Sequence, residues 1–284
     1  MTRVAYQGEP GAFGEEAVVG WFGDAVEPVP VATFSAVCAA VEGGSVDAGV
    51  LPLENSLAGT VGDALDALAG GTLMVVGEVL LPVRHQLLVI EGASVEDIRR
   101  VSSHWQALAQ CERFLTGRAW EVVPAADTAG AARELSASGD RTMAAIASRR
   151  AAERYGLTVA VADVQDADHN LTRFAVLVRE GPVAPEPAGP LAPQGGGRET
   201  LITFETGHRP GDLYRALGTL AEAGINLSRI ESRPSGDGPW RYRFLIQVTG
   251  DYEAEPLRTA LIGLWEHTSS MRVLGSFDTG NGQD

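Results

Sequence analysis

Between Gly181 and Gly197 the chain carries Pro182, Pro185, Pro187, Pro190 and Pro193, then Gly195-Gly196-Gly197. Prolines lack the backbone donor that a helix interior or a central strand needs, and the stretch has little apolar content to bury. It predicts a linker over 181–198. The chain then divides into a domain at 1–180 and a smaller one at 199–278.

Before the linker, strand and helix patterns alternate. Val4-Ala5-Tyr6 reads as a strand and Pro10 as the opening of a helix. Thr33 starts a helix with Phe34, Val37, Cys38 and Val41 at i, i+3, i+4 and i+7. Val46–Leu53, Leu73–Val76, Arg84–Ile90, Met143–Ala147 and Thr158–Ala162 read as extended. Helices are expected around Leu65, over Trp105–Leu115, over Ala129–Leu135 and over Ser148–Tyr155. This alternation predicts an α/β domain with parallel-rich sheets and helices on both faces. The domain is long for one simple sheet. Two lobes with a cleft between them, and crossovers near 80 and 165, are expected. After the linker the order becomes β-α-β-β-α-β, a ferredoxin-like unit. Its first helix opens at Pro210-Gly211-Asp212 and stops at Gly224, and a turn falls at Pro234 to Gly238.

Charge and residue usage exclude several function classes. Net charge is −15, which repels phosphate backbones and anionic lipid, so neither nucleic acid nor a membrane surface is an expected partner. All 22 basic residues are arginine, which removes Schiff-base chemistry and the P-loop lysine. Cys38 and Cys111 each sit in an apolar helical pattern and read as buried thiols. His85, His104, His169, His208 and His267 are scattered without metal-ligand spacing, so no metal is expected. The N-terminus enters a strand directly, and no apolar run is long enough to span a bilayer; a cytoplasmic protein is expected.

Four polar clusters punctuate the first domain. Tyr6-Gln7-Gly8-Glu9-Pro10-Gly11 is a tight turn leading to a helix N-terminus, where free N–H groups can meet an anion. Asn55-Ser56 ends a strand, as helix caps or as donors to a carboxylate or ketone. Ser103-His104-Trp105-Gln106, followed by Gln110, fits an N-cap with a capping box or a ligand contact. Asn170-Leu171-Thr172-Arg173-Phe174 places a carboxamide, a hydroxyl and a guanidinium at the mouth of a strand read as starting at Phe174. Thr172 can donate a hydrogen bond there and Arg173 can grip a carboxylate with two. Converging on one cleft, these groups bind an anionic, oxygen-rich small molecule. They act by positioning and hydrogen bonding rather than covalent chemistry.

Taken in order, these segments make the chain resemble prephenate dehydratase with a C-terminal ACT domain. The resemblance rests on Val4–Phe13, Gly49–Ser56, Leu81–His85, Ser103–Cys111, Ala144–Ser148, Val164–Asp166 and Asn170–Phe174, with Glu231-Ser232-Arg233-Pro234 in the second domain. It covers nearly all of residues 3–277.

The resemblance implies a two-lobed, periplasmic-binding-protein-like catalytic domain. It implies a cytoplasmic lyase that converts prephenate to phenylpyruvate in L-phenylalanine biosynthesis, with no cofactor. Thr172 is then the catalytic residue, with Asn55, Ser56, Ser103, Gln110, Arg173 and Phe174 in or near the substrate site. It also implies control by L-phenylalanine at Gly211, Asp212, Leu213, Asn226, Glu231, Ser232, Arg233 and Pro234, in a homodimer or homotetramer. Asp212 stands where the family usually has alanine, and Trp105 where proline is more usual. These departures bear on effector response and on substrate fit. Arogenate dehydratase is the alternative within enzymes, with a decarboxylase a weaker one. A non-catalytic aromatic amino-acid sensor is the alternative outside them.

Overall fold

The computed structural model describes residues 1–181, 184–193, 195–207, 209–236 and 238–279. Of the residues read above, Pro182, His208 and Asp237 (within the 234–238 turn) lie outside that set, as do Val183 and Gln194 in the linker.

The chain begins with β1 (Thr2–Gln7), α1 (Phe13–Phe22), β2 (Val26–Val31), α2 (Phe34–Glu42), β3 (Ala48–Asn55), β4 (Gly59–Thr60), α3 (Gly62–Gly70) and β5 (Met74–Pro82). Thr33 caps α2 by accepting the Ala36 amide at 3.1 Å, and the helix buries the predicted Val37, Cys38 and Val41. Pro10 does not open α1, which starts at Phe13. Pro10 and Gly11 belong to the preceding turn instead. Gly11 has φ +92°, and a side chain there would lie 2.8 Å from Ala151 Cα, so the turn needs glycine.

A second lobe follows with β6 (Gln86–Val89), β7 (Arg100–His104), α4 (Trp105–Gln110), α5 (Glu112–Leu115), β8 (Glu121–Ala125), α6 (Thr128–Ser138), β9 (Met143–Ala147), α7 (Arg149–Tyr155) and β10 (Thr158–Val161). The single helix expected over 105–115 is two short ones that meet at Cys111. The chain then returns to the first lobe as β11 (Leu171–Val178).

Both sheets are mixed rather than parallel-rich. The first has the order β2-β1-β3-β11-β5, and the second β10-β6-β9-β7-β8. In the first, β1 runs parallel to β2 and β3, while β11 is antiparallel to both of its neighbours. That direction follows from the return crossover: β11 re-enters the sheet from the cleft end. Its first residues therefore sit at the cleft, with Thr172 directly opposite Asn55 of β3.

The C-terminal unit is β12 (Arg198–Glu205), α8 (Asp212–Glu222), β13 (Leu227–Pro234), β14 (Tyr242–Thr249), α9 (Leu257–Glu266) and β15 (Ser270–Asp278), the expected β-α-β-β-α-β order. Its antiparallel sheet runs β13-β14-β12-β15. Residues of α8 and α9 cover one face, with Ala216, Leu220, Leu261 and Leu264 in that core. On the other face Leu201, Leu245, Leu274 and Phe277 share a continuous core with Leu51, Leu53, Val75 and Leu177 of the first lobe. The two sheets thus meet through apolar burial, the dominant favourable term in such a contact. They approach closely at Gly275 (φ +148°), where a Cβ would collide with the Val75 carbonyl oxygen.

The described part of the proline-rich segment is docked. The Ala188 and Gly189 amides donate to the Trp21 carbonyl, and Leu191 donates to Gly20 at 2.7 Å. Leu191 and Ala184 pack against the core around Trp21 and Phe22.

Candidate active site

A cleft of about 450 Å³ opens between the two lobes. Its walls are the turn before α1 with Phe13 and Gly14, the end of β3 with Asn55, and residues 58–61. The second lobe contributes His85, His104, Gln106, Gln110 and Asp127, and β11 supplies Thr172 and Phe174. The volume suits a small organic acid.

The geometry around Thr172 is set by a directional chain of amides. The Asn55 carboxamide oxygen accepts the Leu57 and Ala58 backbone N–H groups at 3.1 and 2.9 Å. Backbone amides only donate, so they fix which end of this side chain is oxygen. Asn55 Nδ2 must then point the other way. It donates to Asn170 Oδ1 at 2.7 Å, to the Leu171 carbonyl at 3.1 Å and to Thr172 Oγ1 at 2.9 Å. Because Asn170 Oδ1 is an acceptor, its Nδ2 donates to Gln110 Oε1 at 3.0 Å. That same oxygen lies 2.9 Å from His85 Nε2, which must carry the proton. Burial holds the His85 pKa below its ordinary value, so the ring is a neutral Nε2–H tautomer at neutral pH.

The consequence for Thr172 is specific. Its side-chain oxygen receives a hydrogen bond from Asn55, and among the described residues it donates none. Its proton is therefore free to be given to a ligand in the cleft.

The residues expected to form the site separate into three groups. Thr172, Asn55, Gln110 and Phe174 come together on the cleft wall. Ser56 and Ser103 do not line it. The Ser56 hydroxyl donates to the His169 carbonyl and accepts the Leu171 amide, pinning 55–57 to the start of β11. Ser103 is fully buried in β7, and its hydroxyl is taken by the Ile146 carbonyl. It is also not a helix cap: His104 holds that position, with its ring accepting the Gln106 amide.

Arg173 stands apart, and the carboxylate grip expected of it is corrected. Because β11 starts at Leu171, earlier than the sequence pattern suggests, Arg173 lies on the sheet face opposite Thr172 and Phe174. There it makes a two-pronged contact with both Glu78 carboxylate oxygens at 2.9 Å. Burial holds the Glu78 carboxyl above its usual range, while Arg173 and Gln247 of β14 work in the opposite direction.

Asn170, read as one of the polar groups at the strand mouth, and His85, to which sequence reasoning gives no site role, complete the amide chain. The only signal for His85 is its place at the start of the Arg84–Ile90 extended run, within the Leu81–His85 segment. Trp105 is 64% exposed and does not line the cleft.

No arginine side chain among the described residues lines the cleft. The starts of α1 and α3, neither capped by a side chain, leave backbone N–H groups at the cleft rim. Among the described residues no cluster of three or more His, Cys, Asp or Glu side chains could hold a metal.

In the C-terminal unit, Gly211 takes the left-handed conformation before α8. Asp212 accepts the Arg209 amide at 2.8 Å and the Arg215 guanidinium at 2.6 Å. These contacts hold its carboxyl below the usual range. Leu213 packs against the helix-side core. Asn226, Ser232 and Pro234 are exposed, whereas Glu231 and Arg233 reach the first lobe.

Comparison with known proteins yields two family matches: prephenate dehydratase over residues 4–182 and the ACT domain over residues 200–264. An Arabidopsis thaliana protein named arogenate dehydratase/prephenate dehydratase 2, chloroplastic, is 42% identical over 289 residues, covering 97% of this chain and 72% of that protein. A Komagataeibacter europaeus protein named bifunctional N-acyl-homoserine lactone acylase/prephenate dehydratase is 37% identical over 278 residues, covering 96% and 95%. The crystal structure of prephenate dehydratase in complex with L-Phe from Arthrobacter aurescens superposes with TM-score 0.87 at 31% identity, over 98% of this chain and 90% of that one.

Proposed function

The chain belongs to the prephenate dehydratase family, and we propose that its cleft converts prephenate to phenylpyruvate with Thr172 as the catalytic residue. The ring carboxylate leaves as carbon dioxide, its bonding electron pair enters the ring, and the C–O bond to the ring hydroxyl breaks. Aromatisation supplies the driving force. The protein's task is to seat a dianion and stabilise charge on the departing oxygen. The Asn55–Thr172 hydrogen bond carries this reading: it commits the threonine oxygen as acceptor and leaves its proton for the leaving hydroxyl. Thr172 acts by hydrogen bonding, since a neutral hydroxyl beside a carboxamide has no base to make it a nucleophile.

Asn55, Asn170, Gln110 and His85 position Thr172, and Phe174 supplies an apolar wall for the ring. Ser56 and Ser103 hold the backbone around the site. The uncapped starts of α1 and α3 receive the carboxylates. Residues 1–180 are assigned to catalysis, 181–198 to the connection and 199–278 to regulation by L-phenylalanine. The L-Phe complex of the Arthrobacter protein supports that effector. The enzyme works in the cytoplasm as a homodimer or homotetramer, which cell fractionation and light scattering test.

The Arabidopsis relative, named for both activities, supports arogenate as a second substrate. Purified protein incubated separately with prephenate and arogenate distinguishes the two. The expected result is phenylpyruvate from prephenate at the higher kcat/KM. Product only from arogenate replaces the substrate assignment, and no product from either supports a non-catalytic sensor.

A further inference from the structure

Strand β13 of the regulatory unit touches the cleft rim through alternate residues. Arg229, Glu231 and Arg233 stand at i, i+2 and i+4 and therefore share one face of the strand. Arg229 Nη2 donates to the Leu53 carbonyl at 3.1 Å, two residues before Asn55. Its Nε lies 3.5 Å from the Glu54 carboxylate. Glu231 accepts from the Thr60 hydroxyl, and Thr60 lines the cleft. Arg233 grips Asp66 of α3 through two hydrogen bonds, at 2.6 and 3.1 Å. The Arg233 guanidinium lies against Gly62, the first residue of α3, where a Cβ would displace it. One strand thus holds the end of β3, β4 and the start of α3. The intervening Ile230, Ser232 and Pro234 are exposed.

Arg229 is the poised member of this set. Its side chain is 6% exposed, and its Nε and Nη1 hydrogens lack acceptors among the described residues. A buried guanidinium with unmet donors is costly, and a small shift of β13 toward Glu54 would bring the Nε–H into hydrogen-bond range. Glu54 is the neighbour of Asn55, so such a shift acts on the residue that orients Thr172.

We propose that β13 is a two-faced transmitter: a ligand on the regulatory unit displaces it, and Arg229, Glu231 and Arg233 pass that displacement to the cleft rim at 53–66. This rests on the reading that L-phenylalanine is the effector. Coupling of this kind needs an element that both sites bias, and β13 meets that need through its contacts at Leu53, Thr60 and Asp66.

The test compares the full-length protein with Arg229→Met and Asp66→Ala, the second removing the carboxylate that Arg233 grips. Each is measured for prephenate turnover with and without L-phenylalanine, for L-phenylalanine binding by calorimetry, and for amide exchange over 53–66. Coupling between sites commonly spans about 5–150-fold. The wild type is expected to show such a response. Both variants are expected to keep basal kcat/KM and L-phenylalanine affinity within about threefold, while their response falls below about 1.5-fold. Exchange over 53–66 should change with L-phenylalanine in the wild type and not in the variants. Variants that keep the full response overturn the proposal, as does a wild type that turns over prephenate without responding. If the wild type makes no phenylpyruvate, the substrate reading fails separately and the exchange comparison alone decides: an L-phenylalanine-dependent change lost in both variants supports transmission through β13, and any other pattern overturns it.

Discussion

Asn55 Nδ2 stands 2.9 Å from Thr172 Oγ1, and the other end of the same carboxamide is locked by two backbone amides. A turn of the chain therefore dictates the direction of a catalytic hydrogen bond.

Substitutions at Asn55 should separate turn from orientation. Asn55→Ala removes the donor, and turnover should fall by about 10–100-fold, within the range for indirect loss of one donor. Asn55→Asp can still accept the Leu57 and Ala58 amides but draws the Thr172 proton to itself. It is expected to fall further than Asn55→Ala in steady-state kcat, although its turn is better preserved.

Arg173→Gln tests which face of β11 binds substrate. Arg173 pairs with Glu78 away from the cleft, so KM for prephenate should stay within about threefold of wild type. Stability should fall instead, by about 1–3 kcal/mol, because Arg173 is only partly buried and Glu78 can take a proton once unpaired. Chemical denaturation and initial-rate kinetics together check this, and a large KM rise with unchanged stability would return Arg173 to the substrate.

Much of this arrangement is legible in the sequence, for identifiable reasons. Thr172, Asn55 and Gln110 are polar groups at strand ends or on a short helix, where side chains can face a cleft. Arg173 misleads because the apolar run begins at Phe174, while pairing with Asn55 and Leu81 extends the strand back through Thr172. A shift in where the strand begins decides the face of every residue near it. Ser103 misleads because a serine before a helical run looks like a cap, yet β7 continues through it into His104. The docked linker is not legible, since its hydrogen bonds to Gly20 and Trp21 are made by backbone groups. Nor are the contacts of β13 with the first lobe, because Arg229, Glu231 and Arg233 meet partners far away in the sequence.

Stability should weaken in mild acid because of His85. Its folded pKa is lowered by burial from the ordinary 6.5, so the unfolded chain binds the proton more readily. The contribution is present in full above about 6.5 and is lost as pH falls from there through the folded value. Thermal melts across this range should show a shallower pH slope for His85→Gln than for wild type.

Gly275→Ala should loosen the seam between the two sheets. The new Cβ collides with the Val75 carbonyl oxygen, and the backbone at φ +148° disfavours any side chain. A loss of about 1–3 kcal/mol is expected from overpacking alone, read from urea midpoints.

The most direct test of the catalytic assignment is kcat for Thr172→Val beside Thr172→Ser. Valine keeps the shape and removes the hydroxyl; serine keeps the hydroxyl. Thr172→Val should lose about 10²–10³ in kcat on prephenate with KM within about threefold, while Thr172→Ser retains most turnover. A Thr172→Val enzyme within about fivefold of wild-type kcat would contradict the assignment, because the proton that Asn55 leaves free would then have no part in the reaction.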